Sequence, residues 1–273
     1  MEDIRQSKLW QRYLVVKKCG VVEVPSADGK HKLQAIILPL GMLGLNFLKL
    51  QRAEYDPNWQ ELKRIRRKNW VVSSIIEPAR IEDGENYKKA GYRLSNFPYL
   101  ATKTVVVDLR KTEKMLWKGL SENSKRLINK NKSAKIKEVR PEEFLEYWKK
   151  SAKIWTLKLE ELEGLKQSLG KKASFRLCLV DGVCHSGLII VESTDTANYF
   201  HTFTTDEGRF SGAHFFLVWK TILEAKRKGL SFYDFEGIYD PRWPQKKWKG
   251  FTEFKKKFGG EVITFPGCFH RWL

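Results

Sequence analysis

Phe232-Tyr233-Asp234-Phe235-Glu236-Gly237-Ile238, followed by Phe251-Thr252-Glu253-Phe254-Lys255-Lys256-Lys257-Phe258-Gly259-Gly260-Glu261, is the part of the chain from which the rest can be read. The first segment is an apolar, aromatic run ending in Glu236-Gly237, the pattern of a buried strand that delivers its last residues to a site. The second changes period. Phe251, Phe254 and Phe258 recur at i, i+3 and i+7, one face of a short helix, and Gly259-Gly260 stands where that helix would be capped. This predicts Lys255 beside a buried Phe254, with Lys256 and Lys257 turned to solvent.

Working outward, residues 212–229 read as a helix, apolar at Phe215, Val218, Trp219 and Ile222 and basic at its end, where cations complement the macrodipole. Phe175–Val180, Ser186–Glu192 and Asn198–Thr204 read as strands, and Pro141–Leu169 as helical. Thr104–Leu109 is a strand whose Asp108 precedes a predicted helix of about two dozen residues. That helix would carry Lys125, Arg126, Lys130, Lys132, Lys135 and Lys137 opposite an apolar face of Leu116, Leu120 and Leu127. Nearer the N-terminus, Ser7 is a helix N-cap candidate, and Val21–Val24 and Leu33–Leu38 form a hairpin over Ser26-Ala27-Asp28-Gly29. Leu45–Leu50 is a strand, Trp59–Lys68 a basic helix, and Val71–Ile76 a β-branched strand ending at Glu77-Pro78. Residues 45–78 and 199–237 share one order of strand, charged loop, helix, strand. Two α/β halves are therefore expected.

These residues resemble the Fem-type aminoacyltransferases, bacterial enzymes that build peptidoglycan cross-bridges from aminoacyl-tRNA. Their C-terminal signature is Tyr-Asp-Phe-Gly-Gly followed by Phe-Lys-x-x-Phe-Gly-Gly, matched here by Tyr233-Asp234-Phe235 and Phe254-Lys255 through Gly260, with Glu236 in place of the first Gly. The resemblance extends to Gln6-Ser7-x-x-Trp10 and to the strand closing on Glu77-Pro78. The family's Tyr-x-Pro-Arg-Gly-Pro loop is replaced by Glu54-Tyr55-Asp56-Pro57-Asn58. Where most members have an Arg after a Thr-Ala pair, this chain has Ser151-Ala152-Lys153. The resemblance implies an α/β fold of two tandem acetyltransferase-like halves with mixed sheets: residues 1–137, to which 261–273 return, and residues 138–260. No sustained heptads support a coiled-coil arm.

Of 273 residues, 42% are hydrophobic and 13% aromatic, ample for a core, so intrinsic disorder is excluded. Lysine and arginine number 51 against 32 acidic residues, a net charge of +19 that points to nucleic acid or an anionic membrane surface. Cys19, Cys178, Cys184 and Cys268 show no paired spacing, and the five histidines, His31, His185, His201, His214 and His270, are scattered with no obvious Ser or Cys partner in the sequence. Neither a metal site nor a covalent nucleophile is expected. With no signal peptide and no run of roughly 20 apolar residues, the location expected is the cytoplasm.

The resemblance implies that an amine of a peptidoglycan precursor, nucleotide- or lipid-linked, attacks the ester carbonyl of an aminoacyl-tRNA, with no cofactor. Lys255 and Phe254 are then the expected oxyanion or phosphate contact and its wall, with Asp108 and Asp234 as candidate carboxylates. Arg209, Tyr239, Glu236 and Lys153 are expected on substrate, and Lys125, Arg126, Lys130 and Lys256 on tRNA phosphates. A monomer with peripheral contact to anionic membrane completes the expectation. Two other readings compete. Arg209-Phe210-Ser211-Gly212-Ala213-His214 follows, up to His214, the motif with which acetyltransferases hold coenzyme A, so an acyl-coenzyme A N-acyltransferase is the first. A non-catalytic basic module that binds tRNA or RNA is the second.

Overall fold

The computed structural model describes residues 3–41, 44–151 and 157–272, and the chain divides into two compact α/β units. One comprises Asp3–Lys103, Asp240–Gln245 and the residues from Thr264 onward; the other comprises Thr104–Tyr239 and Lys246–Ile263. The division at Lys103/Thr104 corrects the boundary expected after residue 137.

In chain order, Ser7 accepts the Trp10 N–H and starts α1 (Lys8–Val16). β1 (Gly20–Pro25) and β2 (Lys32–Leu40) form the expected hairpin, and β3 (Leu45–Ala53) returns antiparallel to β2. Asn58 caps α2 (Trp59–Lys68), which crosses over so that β4 (Val71–Pro78) lies parallel to β3. α3 (Gly84–Lys89) and the short β5 (Arg93–Leu94) follow. Leu48, Leu50, Leu62, Ile76, Tyr87 and Tyr92 fill this unit's core.

β6 (Lys103–Asp108) leads to α4 (Glu113–Gly119), α5 (Glu122–Lys130) and β7 (Lys135–Glu138). The single long basic helix is thus two short helices and a strand. Leu120 is extended, at φ −68° and ψ 145°, and Ser121 accepts the Ser124 N–H to begin a new helix. Next come α6 (Pro141–Ser151), α7 (Leu159–Leu169), β8 (Ala173–Val180), β9 (Val183–Glu192) and β10 (Thr196–Thr204). The chain then forms α8 (Asp206–Ser211), α9 (Ala213–Arg227), β11 (Phe232–Asp234), α10 (Trp248–Lys256), β12 (Glu261–Thr264) and β13 (Phe269–Trp272).

Among the described residues the strands form two sheets, ordered β1-β2-β3-β4-β13-β5 and β12-β6-β11-β10-β9-β8-β7. β6 sits between β12 and β11, which is why residues 104–137 fold with the C-terminal unit. β13 joins the first sheet through Phe269↔Ile76, whereas β12 stays at the edge of the second.

Among the described residues each sheet contains a parallel pair made by a strand–helix–strand crossover, but the two pairs differ. β3 and β4 stay together from Asn46 to Ala53. β10 pairs with β11 only over Thr196–Asn198, while it continues beside β9 to Thr204 past an irregularity between Tyr199 and His201. The pairing of β10 with β11 therefore ends at Asn198, where the chain beyond Asp234 turns away. The candidate site lies there.

Candidate active site

Tyr233 and Phe235 are fully buried and anchor β11 in the core. Between them Asp234 accepts the Thr104 hydroxyl and the Glu236 N–H (2.8 Å), closing a turn that ends the strand. The backbone then passes through φ +60° at Glu236 and φ +135° at Gly237. Lys255 reaches this turn from α10. Its Nζ donates to the carbonyls of Phe235 (2.7 Å) and Gly237 (2.6 Å), one on each side of Glu236, and lies 5.4 Å from the Tyr199 ring centroid. Burial pushes the Lys255 ammonium down to about 8, partly opposed by the charges of Glu236 and Asp234.

Phe254 stacks on His214 at 5.3 Å and meets Phe215 edge-on at 4.8 Å. Phe258 is 2% exposed, but Phe251 is 61% exposed, so the expected apolar face is carried by two residues rather than three. Gly259 and Gly260 explain the helix exit. A Cβ would fall 2.9 Å from the Gly119 carbonyl oxygen at Gly259 and 2.6 Å from that of Val106 at Gly260, and both residues have positive φ.

His214 is the site residue the sequence did not announce as functional. Its Nε2 lies 2.7 Å from Tyr199 Oη and 3.1 Å from Thr202 Oγ1, while Nδ1 is buried with no hydrogen-bond partner among the described residues. Burial pushes its pKa down to about 3, so the ring is neutral. It forms a floor of neutral, aromatic contacts under Phe254. The only signal in the sequence was a bulky residue where a phosphate motif wants a small one.

The structure thus gathers Phe254, Lys255, Asp234 and Glu236. Tyr239 is close by, its N–H bonded to Thr252 Oγ1 (2.7 Å) one turn before Lys255, with Lys249 Nζ 5.5 Å from its ring. Asp108 is not part of the cluster. It pairs with Phe232, two residues from Asp234 and so about 7 Å along the strand, on the side away from Glu236. Its carboxylate takes two bonds from the Arg110 guanidinium and the Arg110 N–H, which hold its pKa below the usual range and make it a turn cap. Lys153 lies outside the described residues.

Arg209 is exposed on α8 and paired with Asp206. The start of α9 is closed by packing. Ser211 Oγ accepts the Ala213 N–H, and a Cβ at Gly212 would come 2.7 Å from Leu127 of α5. An open, glycine-lined approach to that helix end, as the coenzyme A motif requires, is absent among these residues. On the same surface Lys125 pairs with Glu122, Arg126 bonds Asn123, and Lys130 lies 5.8 Å from the ring of Phe210, which is 90% exposed. Lys256 is exposed on α10.

The other unit carries a groove of about 460 Å³ lined by Phe47, Ile75, Phe97, Tyr99, His270 and Trp272. Lys49 lies 4.8 Å from the Tyr99 ring centroid and its ammonium is pushed down by burial. Glu77, which ends β4, accepts the N–H groups of Tyr99 and Leu100 and the Gln51 amide, so it organises the loop beside the groove.

Residues 149–272, a little under half of the chain, match the model of the FemAB family. No curated protein sequence matches the chain. Among solved structures the fold is similar to that of FemX, with a TM-score of 0.81 and 13% identity, covering 99% of this chain and 92% of that one. It is also similar to L-PGS from Bacillus licheniformis (TM-score 0.59, 13% identity, 99% and 94% covered). A tandem GNAT protein from the clavulanic acid biosynthesis pathway gives 0.54, at 11% identity with 89% and 80% covered. At these identities the structural likenesses concern the fold alone, and that fold is two tandem acetyltransferase-like halves. No helix among the described residues is long and apolar enough to cross a membrane. Residues 149–272 thus match the FemAB family model, and the fold of the whole chain is similar to that of FemX.

Proposed function

We propose that the protein transfers an amino acid from aminoacyl-tRNA to an amine on the stem peptide of a peptidoglycan precursor, in the cytoplasm and without a cofactor. The observation that carries this reading is the seat of Lys255. Two of its three ammonium hydrogens are engaged by the Phe235 and Gly237 carbonyls, which fixes the direction of the third. An ammonium so held, half-buried and walled by Phe254, is a preorganised partner for the oxyanion that forms when an amine adds to an ester carbonyl.

The donor is inferred from the surface formed by α5 and α8. Lys130 lies beside an exposed Phe210, and Lys125, Arg126 and Arg209 are carried on the same two helices, a combination that offers cations to phosphates and a ring on which an unpaired base can stack. A coenzyme A donor is disfavoured by the packing of Leu127 on the start of α9.

The test is a transfer assay with purified protein, mixed radiolabelled aminoacyl-tRNAs and a lysine-containing muropeptide precursor, run beside a tube with acetyl-coenzyme A. Label passing from tRNA to the muropeptide supports the reading and names the amino acid. Label passing only from coenzyme A replaces it, and no transfer in either tube leaves a tRNA-binding module.

A further inference from the structure

One end of the first sheet is apolar and basic at once. β2 finishes there, β1, β3 and β4 begin there, and β13 arrives with Trp272 paired to Ser73. Three helices also finish at this end, each just before a strand of the sheet. α1 is followed by Lys17-Lys18 and then β1, α2 carries Arg67-Lys68 in its last turn before β4, and α3 ends on Lys88-Lys89 before β5. Hydrogen bonds fix two of these helix ends. The Asn46 N–H donates to the Trp70 carbonyl (3.0 Å) and its side-chain amide to the Asn69 carbonyl (2.7 Å), which ties the end of α2 to the start of β3. Arg271, beside Trp272, donates to the Ala90 carbonyl just after α3.

All six cations are exposed, and residues 12–22, 62–76 and 86–103 contain no Asp or Glu. Glu85, the nearest acid in sequence, is paired with Lys88. Cations at helix C-termini complement the macrodipole, which accounts for the charge. It does not account for the apolar side chains set among them. Val15 is 61% exposed, Leu40 42%, Trp70 73% and Trp272 68%. Trp70 also sits at φ +49° directly after the α2 cap, where glycine is the unstrained choice. An exposed apolar cluster rimmed by charge is the pattern of a contact surface.

A nucleic acid would engage the cations and could stack on the tryptophans, but it gains nothing from Val15 and Leu40. A bilayer surface uses all three kinds of side chain. Lipid phosphates meet the cations, indole rings settle among the headgroups, and aliphatic side chains reach the acyl boundary.

We propose that this end of the unit holding Asp3–Lys103 docks on a bilayer surface that contains anionic phospholipid. Trp70, Trp272, Leu40 and Val15 enter the headgroup layer, and the paired cations of the three helix ends lie on lipid phosphates. The contact is peripheral, made by side chains at strand and helix ends, and it is independent of the reaction the protein catalyses.

The test is co-sedimentation of the whole protein with vesicles of phosphatidylcholine, alone or mixed with phosphatidylglycerol, beside filter binding to tRNA. The wild type should bind the mixed vesicles, be released from them by high salt, and bind phosphatidylcholine alone weakly. Trp70→Gly combined with Trp272→Ser should weaken binding to the mixed vesicles by about tenfold or more and leave tRNA binding unchanged. Glycine suits the positive φ at position 70, so this variant keeps its fold. Arg67→Gln combined with Lys68→Gln should weaken vesicle binding by roughly fivefold for each cation removed. Mixed vesicles with brominated acyl chains should quench part of the wild-type tryptophan emission, and that quenching should disappear in the tryptophan variant. A wild type that stays in solution beside the mixed vesicles, or a tryptophan variant that sediments and is quenched like the wild type, overturns the proposal. Loss of tRNA binding with vesicle binding intact in the tryptophan variant would assign this end to nucleic acid and overturn it as well.

Discussion

Lys255 shows how one residue acquires a chemistry its sequence neighbours lack. Lys256, adjacent on the same helix, is exposed, whereas Lys255 has its pKa lowered from 10.5 to about 8 by burial. Between those two values the unfolded chain still holds a proton that the folded protein has released, so stability rises with pH across that window; below pH 8 the penalty is fully present. The shift corresponds to at most about 3 kcal/mol. In urea melts, the unfolding free energy of wild type minus that of Lys255→Met should therefore increase by about 2 kcal/mol between pH 8 and 10. Activity should run the other way, with kcat/KM falling above pH 8 as the ammonium is lost. Lys255→Ala should lower kcat about a hundredfold with a folded protein retained, the loss of one donor to a developing oxyanion being worth roughly 3 kcal/mol. An unchanged kcat would remove Lys255 from the reaction. Glu236→Gly should stabilise the fold by about 1 kcal/mol as the left-handed strain is released, measured by the urea midpoint at pH 7. Lys255 was legible because a Phe-Lys pair at helical spacing followed a strand signature. The clamp on the carbonyls around Glu236 was not, since it joins residues 18 and 20 apart through a turn no local rule forms.

At the scale of elements, the helix start that Ser7 caps was legible, as was the start of α2 after Asn58. The basic segment after Asp108 was misread because its apolar period continues through Leu120, while Ser121 caps a new helix there. Its outcome places α5 against the start of α9, and Gly212 is the contact. Gly212→Ala should destabilise by more than 1 kcal/mol, since φ is +71° and Leu127 occupies the space. In the background of Leu127→Ala the extra loss should shrink but not vanish, because the positive φ remains; full additivity in a double-mutant cycle would show that the two do not touch. Phe210→Ala on the neighbouring α8 should weaken tRNA binding by about 1–3 kcal/mol without altering its salt slope, as expected of stacking rather than ion pairing.

For the whole molecule, a net charge of +19 favours polyanions in general, and only its local arrangement can favour one. Reversal of Lys125 and Arg126 to Glu should reduce the slope of log K against log salt for tRNA by about 1–2, which filter binding at several salt concentrations would measure. An unaltered slope would assign these residues to the solvated face alone. The sequence by itself determined in outline that there are two α/β halves, and the strand-then-helix segment that holds Phe254 and Lys255, because hydrophobic period, caps and glycines act over a few residues. Tertiary structure alone decided that β6 joins the second sheet, that β10 and β11 part after Asn198, and that Tyr199 and the carbonyls of Phe235 and Gly237 meet Lys255 there. Those outcomes depend on which edges pair and which side chains share a buried space, and such long-range competition is settled by packing rather than by local pattern.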